Sequence, residues 1–212
     1  MALALMYESK LWREGASSVA GADEAGRGAW AGPIVAGAVC LTAALVRRCR
    51  KQPWFKQVAD SKALSAATRE SIFNDVEQAV PWAIGVVNNK VIDEIGIAEA
   101  NRRAVRLAVT NLKERPSFAL VDYVARLGND IAGVPARVLV DGDARVFCIA
   151  LASVVAKVQR DRVMRAYGER YPEYGFAGHK GYGTRTHHRA ILEHGPSPIH
   201  RLSYRPLRTR LV

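Results

Sequence analysis

GADEAGRGAWAGPIVAGAV occupies residues 21–39, and its reading decides the fold. On its upstream side, SVAGAD (18–23) reads as a strand that ends on two acids. On its downstream side, PIVAGAVCL (33–41) reads as a second strand, apolar throughout and favoured by Ile34, Val35 and Val39. A glycine-rich turn joins the two, so an antiparallel hairpin with a wide loop is expected. Residues 29–46 carry no charge, a length at the lower edge of a membrane span. Gly32-Pro33 and Gly37 interrupt that run. It reads as a buried strand with its flanks, and no membrane partner is expected.

Outward from the hairpin, residues 47–62 are basic and polar and read as a surface loop. Ser65 then precedes Ile72, Val76 and Val80 at fourfold spacing, which predicts a capped amphipathic helix. WAIGVV (82–87) predicts a third strand. Residues 97–112 predict a helix with Ile97, Ala104, Leu107, Ala108 and Leu112 inside and Arg102, Arg103 and Arg106 outside. FALVD (118–122) and RVLVD (137–141) read as short strands, each ending in an aspartate, and 147–167 as a long helix. Beyond Tyr171-Pro172 the chain turns Gly/His/Arg-rich, with one more helix near 186–194. Strands first, then alternating helices and strands, predict an α/β fold with a mixed sheet of five strands flanked by helices. Residues 1–167 form the expected main domain, and 168–212 a small basic helical extension packed on it.

The 212 residues carry a net charge of +11 and are 49% hydrophobic, which argues against disorder. The charge is uneven. Residues 1–155 hold 19 basic and 16 acidic side chains, while 156–212 hold 12 and 4, together with all five histidines. A basic end on a near-neutral body points to a polyanionic partner. Three cysteines at spacings that match no zinc pattern suggest a reducing, cytoplasmic setting. The N-terminus lacks the charged and apolar regions of a signal peptide.

The acids are the sharpest chemical feature. Asp23 and Glu24 follow one strand, Asp122 ends another and Asp143 lies just past a third. Acids form strands poorly and are costly to bury unpaired. One such aspartate is readily explained as a turn cap; several at the strand ends of one sheet suggest an oxygen-only site for Mg²⁺ or Mn²⁺. Asp141 competes with Asp143 for the last position. Adjacent Asp23 and Glu24 point to opposite faces of a regular strand, so a bend at Gly26 or Gly28 is expected to unite them. Gly26-Arg27-Gly28 would expose backbone to a ligand and offer a planar fork to phosphate. The histidines lack zinc spacing; His187 and His188, being adjacent, point different ways on a helix.

The opening string resembles the first motif of the ribonuclease HII family. DSKALS (60–65) is similar to that family's DSKKLS, ASVVAKVQRDRVM (152–164) to ASxxAKVxRDxxM, and HKGYGTRTHHRAILEHGPSPIHRLSYRP (179–206) to its histidine-rich ending. The resemblance implies a ribonuclease H-like fold and an endonuclease that cuts the RNA strand of RNA–DNA hybrids. It implies incision 5′ of single ribonucleotides in duplex DNA, leaving 3′-OH and 5′-phosphate ends. It further implies Mn²⁺ or Mg²⁺ as cofactor, two ions in the substrate complex, held by Asp23, Glu24, Asp122 and Asp143. Gly26, Arg27 and Gly28 would line the ribonucleotide, and Tyr182 would sense the junction. Ser61, Lys62 and Lys157 fall at matching substrate-binding positions. Arg185, Arg189, Arg201 and Arg205 read as sequence-independent duplex contacts. A monomer is expected; a replication-clamp partner is not readable. Tyr123, Asp141 and Ala150 depart from the family pattern.

Overall fold

The expected hairpin forms, and its acidic strand is longer than expected. In the computed structural model, which describes residues 5–59, 64–205 and 207–208, helix α1 (Met6–Arg13) precedes β1 (Val19–Ala25) and β2 (Ile34–Leu41). The strands pair antiparallel with Asp23 opposite Gly37 and Glu24 opposite Ala36. β1 therefore runs through both acids instead of stopping at them, because its ladder to β2 still has partners there.

The expected surface loop at 47–62 is instead α2 (Ala43–Cys49) and α3 (Pro53–Ala59), with Ser61 and Lys62 outside the described residues. Thr42 caps α2 by accepting the Leu45 amide at 3.1 Å. Trp54 and Val58, one turn apart on α3, are buried, and Phe55 stacks on Phe147 with centroids 4.1 Å apart. Their apolar spacing was hidden among Arg47, Arg48, Arg50, Lys51 and Lys56. The helix predicted after Ser65 is α4 (Ala66–Ala79), with the Ser65 hydroxyl accepting the Thr68 amide at 3.1 Å. β3 (Trp82–Val87) matches its expected bounds. An unanticipated α5 (Asn89–Ile95), capped by Asn88, precedes α6 (Ile97–Thr110).

β4 (Phe118–Asp122) also forms as read, followed by β5 (Asp130–Ile131) and β6 (Val134–Leu139). The last of these starts earlier than expected and ends before Asp141, whose left-handed backbone (φ +53°) turns the chain into a 3₁₀ turn at Gly142–Ala144. The sheet is mixed but has six strands, in the order β3-β2-β1-β4-β6-β5, the extra one being the two-residue β5. β1–β4 and β4–β6 are parallel and the other pairs antiparallel.

Helix α7 (Phe147–Arg170) covers one face of the sheet and α6 the other. The apolar face of α6 buries Ala100, Ala104, Val105 and Ala108 with Ile92 and Val121. The α7 face buries Phe73, Val76, Leu120, Phe147 and Val155. Each large aliphatic side chain buried this way is worth about 1.5–3 kcal/mol. A Cβ on Gly37 would come within 2.5 Å of the Ala152 carbonyl oxygen, so glycine there lets α7 lie directly on β2. This close approach brings the α7 side chains down to the end of β1. The N-terminus of α7 has no cap of its own; Glu8 of α1, fully buried, accepts the Cys148 amide at 2.8 Å. That carboxylate satisfies an otherwise orphaned helix-end donor.

The C-terminal region continues with a 3₁₀ turn at Pro172–Tyr174, α8 (Phe176–His179) and α9 (Arg185–His194). Met164 of α7, Ala31 of the hairpin loop, Tyr174, Phe176, Ile191, Ile199 and Leu207 make a third apolar cluster. Among the described residues no helix is long and apolar enough to cross a membrane.

Candidate active site

Three of the acids act on one another at the ends of β1 and β4. Asp23 is 5% exposed and lies on the α7 side. Burial pushes its carboxyl up to about 7; Ser153 opposes the rise, the charges of Glu24 and Asp122 reinforce it, and Lys157 opposes it. Ser153 and Lys157 are one turn apart on α7. The Ser153 hydroxyl is buried without a hydrogen bond of ordinary geometry, so its hold on Asp23 is loose. Glu24 has its pKa raised by burial first and by the Asp122 charge second, against Arg27 and Asn101 of α6. The two adjacent carboxylates thus lie toward opposite faces of β1, and no bend unites them. The Glu24 amide donates to Asp23 Oδ1 at 2.7 Å. Glu24 Oε2 is buried with no hydrogen-bond partner.

Asp122 is half buried, and its Oδ1 accepts the Gly142 amide at 2.7 Å. That bond ties the turn carrying Asp143 to the end of β4. Of the two acids beside Gly142, Asp143 is half buried and Asp141 is exposed. The donors are all oxygen, crowded with like charge, and one buried acceptor is unfilled, a set that fits a hard divalent cation. Among the described residues no three Asp, Glu, His or Cys side chains converge closely enough to hold an ion by themselves.

The Gly26-Arg27-Gly28 loop is braced from behind. Gly26 has φ +90°, and a Cβ there would collide with the Arg160 side chain. Arg160 is 1% exposed and donates to Pro33 O at 3.1 Å, Ala31 O at 3.3 Å and Lys180 O at 2.9 Å. Its guanidinium also sits over the Tyr182 ring, 5.3 Å from the centroid. Arg201 is likewise fully buried and donates to Gly32 O and Arg27 O, both at 3.0 Å. The expectation that Arg201 faces a duplex is therefore corrected: its charge is spent on backbone carbonyls of the loop. Arg185, Arg189 and Arg205 are exposed, as are the Arg27 side chain and Gly28.

Tyr182 is 43% exposed beside this loop, and the Trp30 amide donates to Gly181 O at 2.8 Å. A cleft of about 360 Å³ opens between Lys157, Arg160, Lys180 and Tyr182. Arg160 and Asn101 were not singled out from the sequence as parts of the site, and Arg201 was given a different role. For Arg160 a signal existed: Ala156 and Met164, four residues to either side, place it on the inner face of α7.

The ribonuclease HII family model matches residues 20–206. A ribonuclease HII of Dehalococcoides mccartyi is 47% identical over 203 residues, 95% of this chain and 92% of that protein. One from Acholeplasma laidlawii is 43% identical, covering 96% of this chain and 95% of its own length. Among solved structures, the ribonuclease H2 of Pyrococcus horikoshii superposes with a TM-score of 0.73 at 27% identity, covering 91% of this chain and 96% of that one. The ribonuclease HII of Archaeoglobus fulgidus, solved in complex with PCNA, gives 0.72 at 25% identity, over 88% of this chain and 95% of that one. With the family model matching most of the chain and relatives more than 40% identical over nearly its whole length, this chain belongs to the ribonuclease HII family of metal-dependent ribonuclease H hydrolases.

Proposed function

We propose that the protein hydrolyses the RNA strand of RNA–DNA hybrids and incises 5′ of single ribonucleotides embedded in duplex DNA, leaving 3′-OH and 5′-phosphate ends. The observation that carries this reading is the mutual crowding of Asp23, Glu24 and Asp122 at the end of β1 and β4. Asp23, Glu24, Asp122 and Asp143 would hold two divalent cations, Mn²⁺ or Mg²⁺. Bound there, the ions supply Lewis acidity toward the attacking water and the departing 3′ oxygen. Substrate phosphate oxygens would join these carboxylates in holding the ions. No protein nucleophile is needed.

The chain's own groups bind and orient. Lys157 faces Asp23 and offsets its charge. The Gly26-Arg27-Gly28 loop, exposed at Arg27 and Gly28, reads the 2′-hydroxyl, the group that separates RNA from DNA. Tyr182 packs on the following deoxyribose and favours an RNA-to-DNA step. Ser61, Lys62 and Arg185 add phosphate contacts in this reading. A non-catalytic nucleic-acid-binding module is the competing reading, and it gives no reason for four acids at strand ends. One duplex with a single embedded ribonucleotide, incubated with Mn²⁺, Mg²⁺ or EDTA, tests the proposal. Incision on the 5′ side with either metal and none with EDTA is expected; cleavage insensitive to EDTA would overturn it.

A further inference from the structure

Three histidines surround the backbone of Tyr182, and their hydrogen bonds leave only one arrangement of protons. The Ser197 amide donates to His200 Nδ1 at 2.8 Å, and the Ser197 hydroxyl lies at the same distance from that nitrogen. A backbone amide only donates, so His200 Nδ1 is an acceptor and its proton is on Nε2. His200 Nε2 lies 3.0 Å from His187 Nε2, which must therefore accept. The His187 proton is then on Nδ1, which donates to Tyr182 O at 2.9 Å.

His179 completes the set. Its Nδ1 accepts the Gly181 amide at 3.1 Å, and its Nε2 donates to Tyr174 O at 2.7 Å. Its ring stacks on His187 with centroids 4.4 Å apart and planes 14° apart. The Tyr182 amide donates to the His179 carbonyl at 2.9 Å. Every ring nitrogen of the three is in use, and all three are neutral. Burial agrees, holding His187 and His200 down to about 4. His187 and His200 are 0% and 1% exposed, so none of this is surface chemistry.

We propose that Ser197, His200 and His187 form a one-way hydrogen-bond relay that fixes the Tyr182 backbone and so sets the pose of the tyrosine ring toward the RNA-to-DNA step. His187 is a positioning residue: it touches the Tyr182 carbonyl, not the substrate. The proposal rests on the junction reading of Tyr182 given above.

Asparagine places an amide nitrogen near the position of Nδ1, and glutamine places one near Nε2. His187→Asn keeps the donor to Tyr182 O, whereas His187→Gln loses it. The readout is the ratio of kcat/KM on a single embedded ribonucleotide to that on an all-RNA/DNA hybrid. The Gln variant is expected to lower this ratio about tenfold, since small displacements of positioning groups cost that much, and the Asn variant to restore it to within about twofold. An unchanged ratio in the Gln variant, or equal losses in both, overturns the relay. Tyr182→Ala runs alongside; if it leaves the ratio unchanged, the junction reading fails instead. The relay is then decided, as it is if the variants do not fold, by nitrogen NMR of the intact protein at pH 7. A neutral His187 protonated on Nδ1 is expected; an Nε2–H tautomer or an imidazolium overturns it.

Discussion

Asp122 Oδ1 accepts the Gly142 amide at 2.7 Å, so an acid of the site is also the anchor of the turn that presents Asp143. The two functions can be separated by substitution. Asn at 122 keeps an acceptor for Gly142 but loses the charge; Asp122→Asn is expected to keep the fold and lower cleavage by about 100-fold or more. Ala at 142 keeps the charge but disturbs the anchor, because its Cβ would lie 2.7 Å from Ile149 Cδ1 and 3.1 Å from Asp122 Oδ1. Gly142→Ala should cost about tenfold in kcat/KM through misplaced carboxylates. Cleavage rates with circular dichroism as the folding control decide both.

Asp23 carries a pH signature. Burial holds its carboxyl at about 7 in the fold, above the ordinary aspartate value of 3.8, so the fold favours the protonated form. The stability this group contributes is complete below pH 3.8 and is lost as pH rises toward 7. Asparagine has no such proton to lose. Without added cation, Asp23→Asn should unfold at a higher temperature than the parent at pH 8, and the gap should close by pH 4. Excess Mn²⁺ should raise the parent's Tm more than the variant's, because ligands of the folded state stabilise it. The variant should cut no substrate. Thermal unfolding at the two pH values, with and without metal, measures all of this; a gap equal at pH 4 and pH 8 would contradict the assignment of burial as its cause.

Arg160 and Gly26 fill one another's space, and each constrains the other. Lysine at 160 cannot reproduce a planar fork over the carbonyls of Pro33, Ala31 and Lys180. Arg160→Lys should lower stability by about 2 kcal/mol, the cost of leaving buried acceptors unpaired. Gly26→Ala should cost more, since it adds a collision to a positive φ. Combining Gly26→Ala with Arg160→Ala should cost less than the sum of the two single changes, as expected for residues in contact. Denaturant unfolding of the four proteins gives the coupling.

Legibility in the sequence followed periodicity. β3, β4 and the helix after Ser65 appear at or within a residue of their expected bounds because alternation, an aspartate stop and a serine cap mark them. α2 and α3 were missed because five cations dilute an apolar turn carried by Trp54, Phe55 and Val58. The order of the acids along the chain was readable. Alternation also put Asp23 and Glu24 on opposite faces, but which face each takes was not readable: the register of β1 against β2 sends Asp23 toward α7 and Glu24 toward α6, and register is a tertiary property. Arg201 was misread, and Arg160 overlooked, for a related reason. Sequence shows a charge, while burial depends on which carbonyls the fold leaves unpaired.

Arg185 and Arg201 look alike in the sequence and should behave oppositely. Arg185 opens α9 and is exposed, free to meet a phosphate. Its removal should raise KM for duplex substrates and reduce the slope of log affinity against log salt by about one, as for one lost phosphate contact. Tm should not change. Arg201 is fully buried, bonded to the carbonyls of Gly32 and Arg27, with its guanidinium 5.2 Å from the Tyr204 ring centroid. Arg201→Ala should leave those carbonyls short of donors and cost about 2–4 kcal/mol of stability. It should also loosen the Gly26-Arg27-Gly28 loop, so kcat falls even at low salt, where duplex binding is strongest. A salt titration of KM with a thermal melt of each variant separates the two. If Arg201→Ala kept its Tm and only flattened the salt dependence, this arginine would be a duplex contact after all, and the brace behind the loop would have to lie in Arg160 alone.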